Sequence, residues 1–181
     1  MNCSWFNLNI DGAKLMASMI SSKPSAWGKR NLLAAAPLST MISRMELNGK
    51  AALITGASRG VGAATVIKLA KAGCNVAINC KQSIDHAQQV AAQCHRLGVK
   101  TVVVQGDVAS DPDCRRIATE SIKALGQLDI LINNAGTTRF INFHDLDEVS
   151  NNDWEDILGV NLKGSFQCAR AAREALESGA G

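Results

Sequence analysis

The stretch Thr55-Gly-Ala-Ser-Arg-Gly-Val-Gly62 carries the clearest chemistry in the sequence. Glycines at 56, 60 and 62, with Ala57, Ser58, Arg59 and Val61 between them, leave room for a tight turn and let a phosphate approach backbone N–H groups. If a helix follows, its N-terminus adds partial positive charge to those donors, which suits a pyrophosphate. Three glycines alone describe an ordinary strand-to-helix turn equally well. Context favours the phosphate. The apolar run Lys50-Ala-Ala-Leu-Ile-Thr55 comes directly before, and a second run, Asn75-Val-Ala-Ile-Asn79, follows about 20 residues on, the interval of a dinucleotide-binding β-α-β unit.

Three further stretches extend that chemistry. A site for NAD carries an acid at the end of the second strand to hold the adenosine ribose. Here that stretch is Asn79-Cys80-Lys81, with no acid before Asp85. Arg59 and Lys81 offer positive charge there instead, which attracts a 2′-phosphate where a carboxylate would repel it. NADP is therefore expected over NAD, although a loop lysine is also an ordinary solvated side chain. Gly106-Asp107-Val108 and Asn133-Asn134-Ala135-Gly136 follow the third and fourth apolar runs. Either alone is compatible with a plain turn, since Asn, Asp and Gly dominate turns. Their placement after successive strands is what singles them out.

The elements that must position these residues alternate regularly. Strands are expected over Lys50–Thr55, Asn75–Asn79, Lys100–Gln105 and Leu128–Asn133. Helices are expected over Val61–Ala72, Ile84–Leu97 and from Pro112 to Leu125, and a long one from Asn152 to Glu177. Strict β-α alternation implies a doubly wound parallel sheet with helices on both faces, the ligand lying at the carboxyl ends of the strands. On the long helix Trp154, Leu158, Leu162, Phe166 and Ala169 form one stripe, and Asn161 adjoins it. An amide facing a core is costly unless satisfied, so Asn161 marks either a site or a capped, solvent-reaching side chain.

Charge excludes a nucleic-acid partner. Of a net +3, residues 1–44 hold five basic side chains (Lys14, Lys23, Lys29, Arg30, Arg44) against Asp11, while residues 45–181 hold the remaining 14 basic and 15 acidic ones. No apolar run reaches the roughly 18 residues that span a bilayer, so no membrane partner is expected. The six cysteines form no Cys-x-x-Cys pair and no metal site, and a strand separates Cys74 from Cys80 by roughly 20 Å, too far to bridge. Reduced thiols fit an intracellular compartment. Residues 1–44, with seven serines and one acid, resemble an organellar transit peptide; a disordered tail or a misplaced start upstream of Met45 reads the same way. The location is then cytoplasmic, or chloroplast or mitochondrial if the leader is a transit peptide.

Taken together, Thr55-Gly-x-x-x-Gly-x-Gly62, Gly106-Asp-Val108, Asn133-Asn-Ala-Gly136 and Asn161-Leu-Lys-Gly164 resemble the short-chain dehydrogenase/reductases over residues 45–181. Ile54-Thr-Gly-Ala-Ser-Arg-Gly-Val-Gly62 and Asn133-Asn-Ala-Gly-Thr-Thr-Arg139 are most similar to the 3-oxoacyl-[acyl-carrier-protein] reductase branch. The resemblance implies an NAD(P)-binding Rossmann fold, here about four strands in the order 3-2-1-4. It implies that Gly56 to Gly62 cradle the pyrophosphate, that Asp107 and Val108 touch the adenine, and that Asn134, Ala135 and Gly136 meet the ribose and inner cofactor. It makes Asn161 the catalytic amide that positions a water in a proton relay. It further implies a small carbonyl or acyl-thioester substrate and homo-oligomeric full-length relatives.

The family also places a Ser after a fifth strand and Tyr-x-x-x-Lys on the next helix. This chain reaches Ser178-Gly-Ala-Gly181 where that strand would begin, and it contains no tyrosine. Two readings follow: the cofactor-binding front part of an NADP(H)-dependent oxidoreductase, or a non-catalytic, truncated dinucleotide-binding protein. A third, another nucleotide-binding fold such as a methyltransferase, is opposed by the Asn-Asn-Ala-Gly and Asn-Leu-Lys-Gly motifs. Since residues 1–44 lack a core-forming pattern, deleting them is expected to leave the thermal transition of the remainder unchanged; a drop of several degrees would show that they pack on the domain.

Overall fold

In a computed structural model of the chain, residues 47–142 and 144–178 are described; the leader expected over residues 1–44 lies outside them. Four parallel strands, β1 (Ala51–Ile54), β2 (Asn75–Cys80), β3 (Thr101–Gln105) and β4 (Ile130–Ile132), form one sheet in the order β3-β2-β1-β4. This is the expected 3-2-1-4 order. The helices between them are α1 (Gly60–Lys71), α2 (Ile84–Arg96) and α3 (Asp111–Leu125). After β4 come a 3-10 turn at Leu146–Glu148, α4 (Asn151–Leu158), a π-helical segment at Gly159–Gly164 and α5 (Ser165–Ser178).

The period of two along each strand divides the core between the two faces. Ala52 and Ile54 of β1, with Val76, Ile78 and Cys80 of β2, pack under Val66 and Ala70 of α1 and Ala87, Val90 and Cys94 of α2. Ala51 and Leu53, with Ala77 and Val104, face Ile117 and Leu125 of α3 and Ala172 of α5. Every residue of β1 is buried because helices cover both of its faces, which is why its sequence is a continuous apolar run and not an alternation. β4, at the edge expected for it, is half-buried throughout, whereas Leu128 just before it is fully buried and not part of an exposed edge.

The single long helix expected from Asn152 to Glu177 is corrected by the structure. It is three segments, and the wide π turn lies at Asn161. Gly159 and Gly164 bound this turn, and both are buried. A Cβ on Gly164 would come within 3.0 Å of the Val108 carbonyl oxygen and its Cγ2, so the helix presses on the loop after β3 at that point. The extra residue of a π turn shifts the helical phase. Beyond it Gln167, Cys168 and Ala172 face inward, while Trp154, Leu158, Leu162 and Phe166 are exposed, Leu162 at 67 %. That stripe is therefore not core, and Asn161, itself exposed, does not face one.

The amino edge of the sheet is closed by Asp129. Its carboxylate accepts the Ala51 N–H (2.8 Å), pairs with Lys50 (3.0 Å) and accepts from the Gln127 amide (2.8 Å). Burial works to raise its pKa, but these donors outweigh burial and hold it below the ordinary carboxylate value. A depressed carboxyl contributes stability above its unfolded value and loses it as pH falls through the folded one. Asp129→Ala is therefore expected to lower unfolding free energy at neutral pH by about 1–3 kcal/mol. The gap from the parent should close as pH falls below about 4. Urea titrations across that range check it; a gap that stays constant would contradict the assignment.

Candidate functional site

Four loops leave the carboxyl edge of the sheet and meet around a cleft of about 480 Å³. Gly56, Ser58 and Arg59 line it from the β1–α1 loop, Cys80 and Lys81 from the end of β2, and Asp107 and Val108 from the loop after β3. Asn134, Ala135 and Gly136 close it from the loop after β4, with Thr137, Asp156 and Val160 beside them. The structure thus brings together residues that the sequence singled out on four separate loops.

The other sequence candidates in the glycine loop are not part of this wall. Ala57 is fully buried, its N–H donating to the Asn79 carbonyl at 2.8 Å. Gly60 (φ 59°) opens α1, and a Cβ there would have nothing within 4 Å, so the glycine serves backbone conformation and leaves space above it. Val61 is 76 % exposed and lies outside the cleft lining. Gly62 is a packing residue: a Cβ would sit 2.5 Å from the Asn134 amide nitrogen and 2.8 Å from the Gly56 carbonyl. Gly56 is the second tight point, with φ 60° and Ala135 Cα 2.7 Å from where its Cβ would be.

Two side chains that the sequence reading did not place in the site hold these loops together. Asn79 is buried; its Oδ1 accepts the Gly56 N–H (3.3 Å), and its Nδ2 donates to the carbonyls of Val104 and Gly106 (3.1 Å each). Thr55 Oγ1, also buried, accepts the N–H groups of Asn134 (3.1 Å) and Ala135 (3.0 Å). Asn134 Nδ2 returns two bonds, to the Thr55 and Gly56 carbonyls at 3.0 Å each. A polar residue ending an otherwise apolar strand was the available signal for both, since a buried amide or hydroxyl requires partners.

Asn161 fastens the fourth loop. Its Oδ1 accepts the Thr137 N–H at 2.8 Å and its Nδ2 donates to the Thr137 carbonyl at 3.0 Å. Asn133 Nδ2 donates to the Ser165 carbonyl (3.3 Å), tying the loop to the helix a second time. Val108 is fixed in the same manner, its carbonyl accepting from Gln167 Nε2 (3.0 Å) and the Cys114 thiol (3.1 Å). Cys74, Cys80, Cys94, Cys114 and Cys168 are all unbridged and buried. Burial pushes the Cys74 thiol up to about 11 and the Cys168 thiol up to about 12, so both are protonated core residues at neutral pH.

The electrostatics of the cleft are set by α1 and two cations. Among the described residues no side chain caps α1, no acid lies in its first turn, and its N-cap residue is Arg59. Its first N–H groups and dipole therefore remain open to an anion. Lys81 Nζ pairs with Asp107 Oδ2 at 2.7 Å. Hydrogen bonding and the charge of Asp107 raise the lysine's pKa. Burial works to raise that of Asp107, but Lys81 and the Ala109 N–H together lower it below its ordinary value. Such an arrangement can bind a phosphorylated, extended ligand along the strand ends, with positive charge at the β2 end.

The Asn79 amide gives a direct test of this architecture. Asn79→Ala leaves the Gly56 N–H and two carbonyls without their partner, so a loss of about 2–3 kcal/mol in urea unfolding is expected. Unfolding within about 0.5 kcal/mol of the parent would show that the amide does not hold the loops, since surface-like substitutions stay inside that range.

The family described as short chain dehydrogenase matches residues 50–181. The chain is 37 % identical over 133 residues to a short-chain dehydrogenase/reductase of Pestalotiopsis microspora, covering 74 % of this chain and 49 % of the relative. It is also 37 % identical over 123 residues to the 3-oxoacyl-[acyl-carrier-protein] reductase FabG of Staphylococcus aureus, covering 68 % and 49 %. A short chain dehydrogenase of Burkholderia cenocepacia, crystallised in complex with NADP, superposes with a TM-score of 0.69 at 38 % identity, covering 72 % of this chain and 52 % of that one. The chain spans about half the length of the curated relatives it matches. With its 3-2-1-4 parallel sheet and its glycine loop at the carboxyl edge, this chain belongs to the short-chain dehydrogenase/reductase family.

Proposed function

We propose that residues 45–181 form the cofactor-binding part of an NADP(H)-dependent oxidoreductase that interconverts a carbonyl and a secondary alcohol, with a 3-oxoacyl thioester as the substrate class. The observation that carries the cofactor is the end of β2, where Asn79-Cys80-Lys81 supplies no carboxylate and Arg59 and Lys81 both line the cleft. The NADP complex of the Burkholderia cenocepacia relative supports the same reading. The residues fit the group. Gly60 leaves open space at the start of α1, and Arg59 and Lys81 both line the cleft, positive charge that supports a 2′-phosphate there.

The nicotinamide dinucleotide, when bound, supplies the hydride; the chain binds and orients it. Within the Gly56–Gly62 loop, the N–H groups of Gly60 to Gly62 at the start of α1 take the pyrophosphate, since those of Gly56 and Ala57 already donate to Asn79, and Arg59 and Lys81 take the 2′-phosphate. Asp107 and Val108 border the adenine, and Asn134 to Gly136 border the inner ribose. Asn161 acts in this proposal first by holding Thr137, because two of its side-chain hydrogen bonds go to that residue's backbone. One Nδ2 hydrogen remains for the water of the relay. Substrate identity rests on the resemblance to 3-oxoacyl reductases, of which the chain spans about half.

The test of the cofactor is fluorescence titration with NADPH and NADH. Tighter binding of NADPH is expected, and Arg59→Ala should weaken NADPH by about two- to fivefold more than NADH, the range of one exposed ion pair. Equal losses for the two cofactors would overturn the 2′-phosphate assignment.

A second reading, a dinucleotide-binding protein without turnover, is favoured by one observation: the 181 residues contain no tyrosine to protonate the carbonyl oxygen. The purified 181-residue polypeptide is therefore expected to bind NADPH without oxidising it in the presence of acetoacetyl thioesters. Turnover in a preparation free of host reductases would refute that expectation.

A further inference from the structure

Two cations face the cleft from the adenosine end, and they differ in one respect. Arg59 makes no ion pair among the described residues, whereas Lys81 Nζ lies 2.7 Å from Asp107 Oδ2. The carboxylate is itself fixed, for Asp107 Oδ1 accepts the Ala109 N–H at 3.0 Å and the Asp107 N–H donates to Asp113 at 2.8 Å. Lys81 is tethered at its backbone too, its carbonyl accepting from Gln105 Nε2 at 3.0 Å. The ammonium is thus drawn over the end of β3 by a carboxylate that cannot follow it elsewhere. Asp156 lines the same cleft and adds a second negative charge.

We propose that Asp107 is a specificity-setting residue that competes with the cofactor's 2′-phosphate for the Lys81 ammonium, holding the preference for phosphorylated over unphosphorylated dinucleotide below what Arg59 and Lys81 would otherwise give. This rests on the reading above that the 2′-phosphate lies between those cations. The physical reason is the sum of charges. A lysine has three donor hydrogens and can touch both anions, but the field a phosphate meets is that of the pair, and the pair is neutral. The ion pair is half-exposed, at 59 % for Lys81 and 28 % for Asp107, so the competition is a matter of a few-fold and not of orders of magnitude. Arg59, unpaired among the described residues, carries most of the discrimination while Asp107 is in place.

The 181-residue chain is titrated calorimetrically at neutral pH and fixed ionic strength with two probes, adenosine 2′,5′-bisphosphate and 5′-AMP. The ratio of their dissociation constants isolates the 2′-phosphate, because any contact of Asp107 with the adenine is common to both. The parent should prefer the bisphosphate. Asp107→Asn keeps an oxygen for the Ala109 N–H and should raise the ratio by roughly two- to fivefold, the range open to an exposed pair; Asp107→Ser should do the same. Lys81→Ala should lower the ratio less in the parent than in the Asp107→Asn background, where it should abolish the whole gain. An unchanged ratio in Asp107→Asn would overturn the competition. A fall would also overturn it, showing that Asp107 steers Lys81 onto the phosphate. A parent that binds neither probe, or binds both equally, would overturn the cofactor reading itself.

Discussion

The cleft depends on one constraint: polar backbone where the buried ends of β1 and β2 meet the loops after β3 and β4 must be satisfied within the fold. The buried side chains of Asn79 and Thr55 meet that need. Asn79 joins the first N–H of the glycine loop to the last carbonyls of β3, and Thr55 joins the end of β1 to the loop after β4. Leaving such groups unpaired costs about 1–3 kcal/mol each, so the spacing of the loops is fixed before any ligand arrives. Glycine is required at 56 and 62 for the same reason. The loops are drawn so close that a Cβ at either position would meet Ala135 or Asn134 within 2.7 Å.

Within that frame the ligand-facing groups differ in how tightly they are held. The amides of the glycine loop and of Asn134 are fixed by buried bonds. The two cations are on the surface, and among the described residues only Lys81 is tied, to an acid on the neighbouring loop. In the proposed function the frame holds the phosphorylated ligand, and the cations bias the choice of adenosine by about a few-fold, which is the scale on which exposed charges act.

Much of this was legible in the sequence because β-α alternation and period-two burial leave a strong pattern. Lys50–Thr55 and Asn75–Asn79 read as buried strands, and their ends differ from the observed β1 and β2 by at most one residue. The cleft wall from Gly56 to Gly136 followed from placing each motif after a strand. What escaped depends on partners distant in sequence. The amide of Asn79 meets Gly56, Val104 and Gly106, and nothing local announces those contacts. The stripe from Trp154 to Phe166 is the pattern of one unbroken helix, but the π turn at Gly159–Gly164 shifts the helical phase partway along it, and the stripe is exposed on both sides of that turn. Lys81 reads in the sequence as a cation for the ligand or as a solvated loop lysine, since nothing there shows Asp107 reaching it from the neighbouring loop.

The central claim is that the glycine loop and the three neighbouring loops form one binding surface for a 2′-phosphorylated dinucleotide. Backbone amide hydrogen exchange with and without NADPH tests it most directly. Protection gained together at Gly60 to Gly62, at Asp107 to Ala109 and at Asn134 to Thr137 is the predicted result. Protection confined to other elements, such as the exposed faces of α3 and α5, or no protection at saturating NADPH, would contradict it.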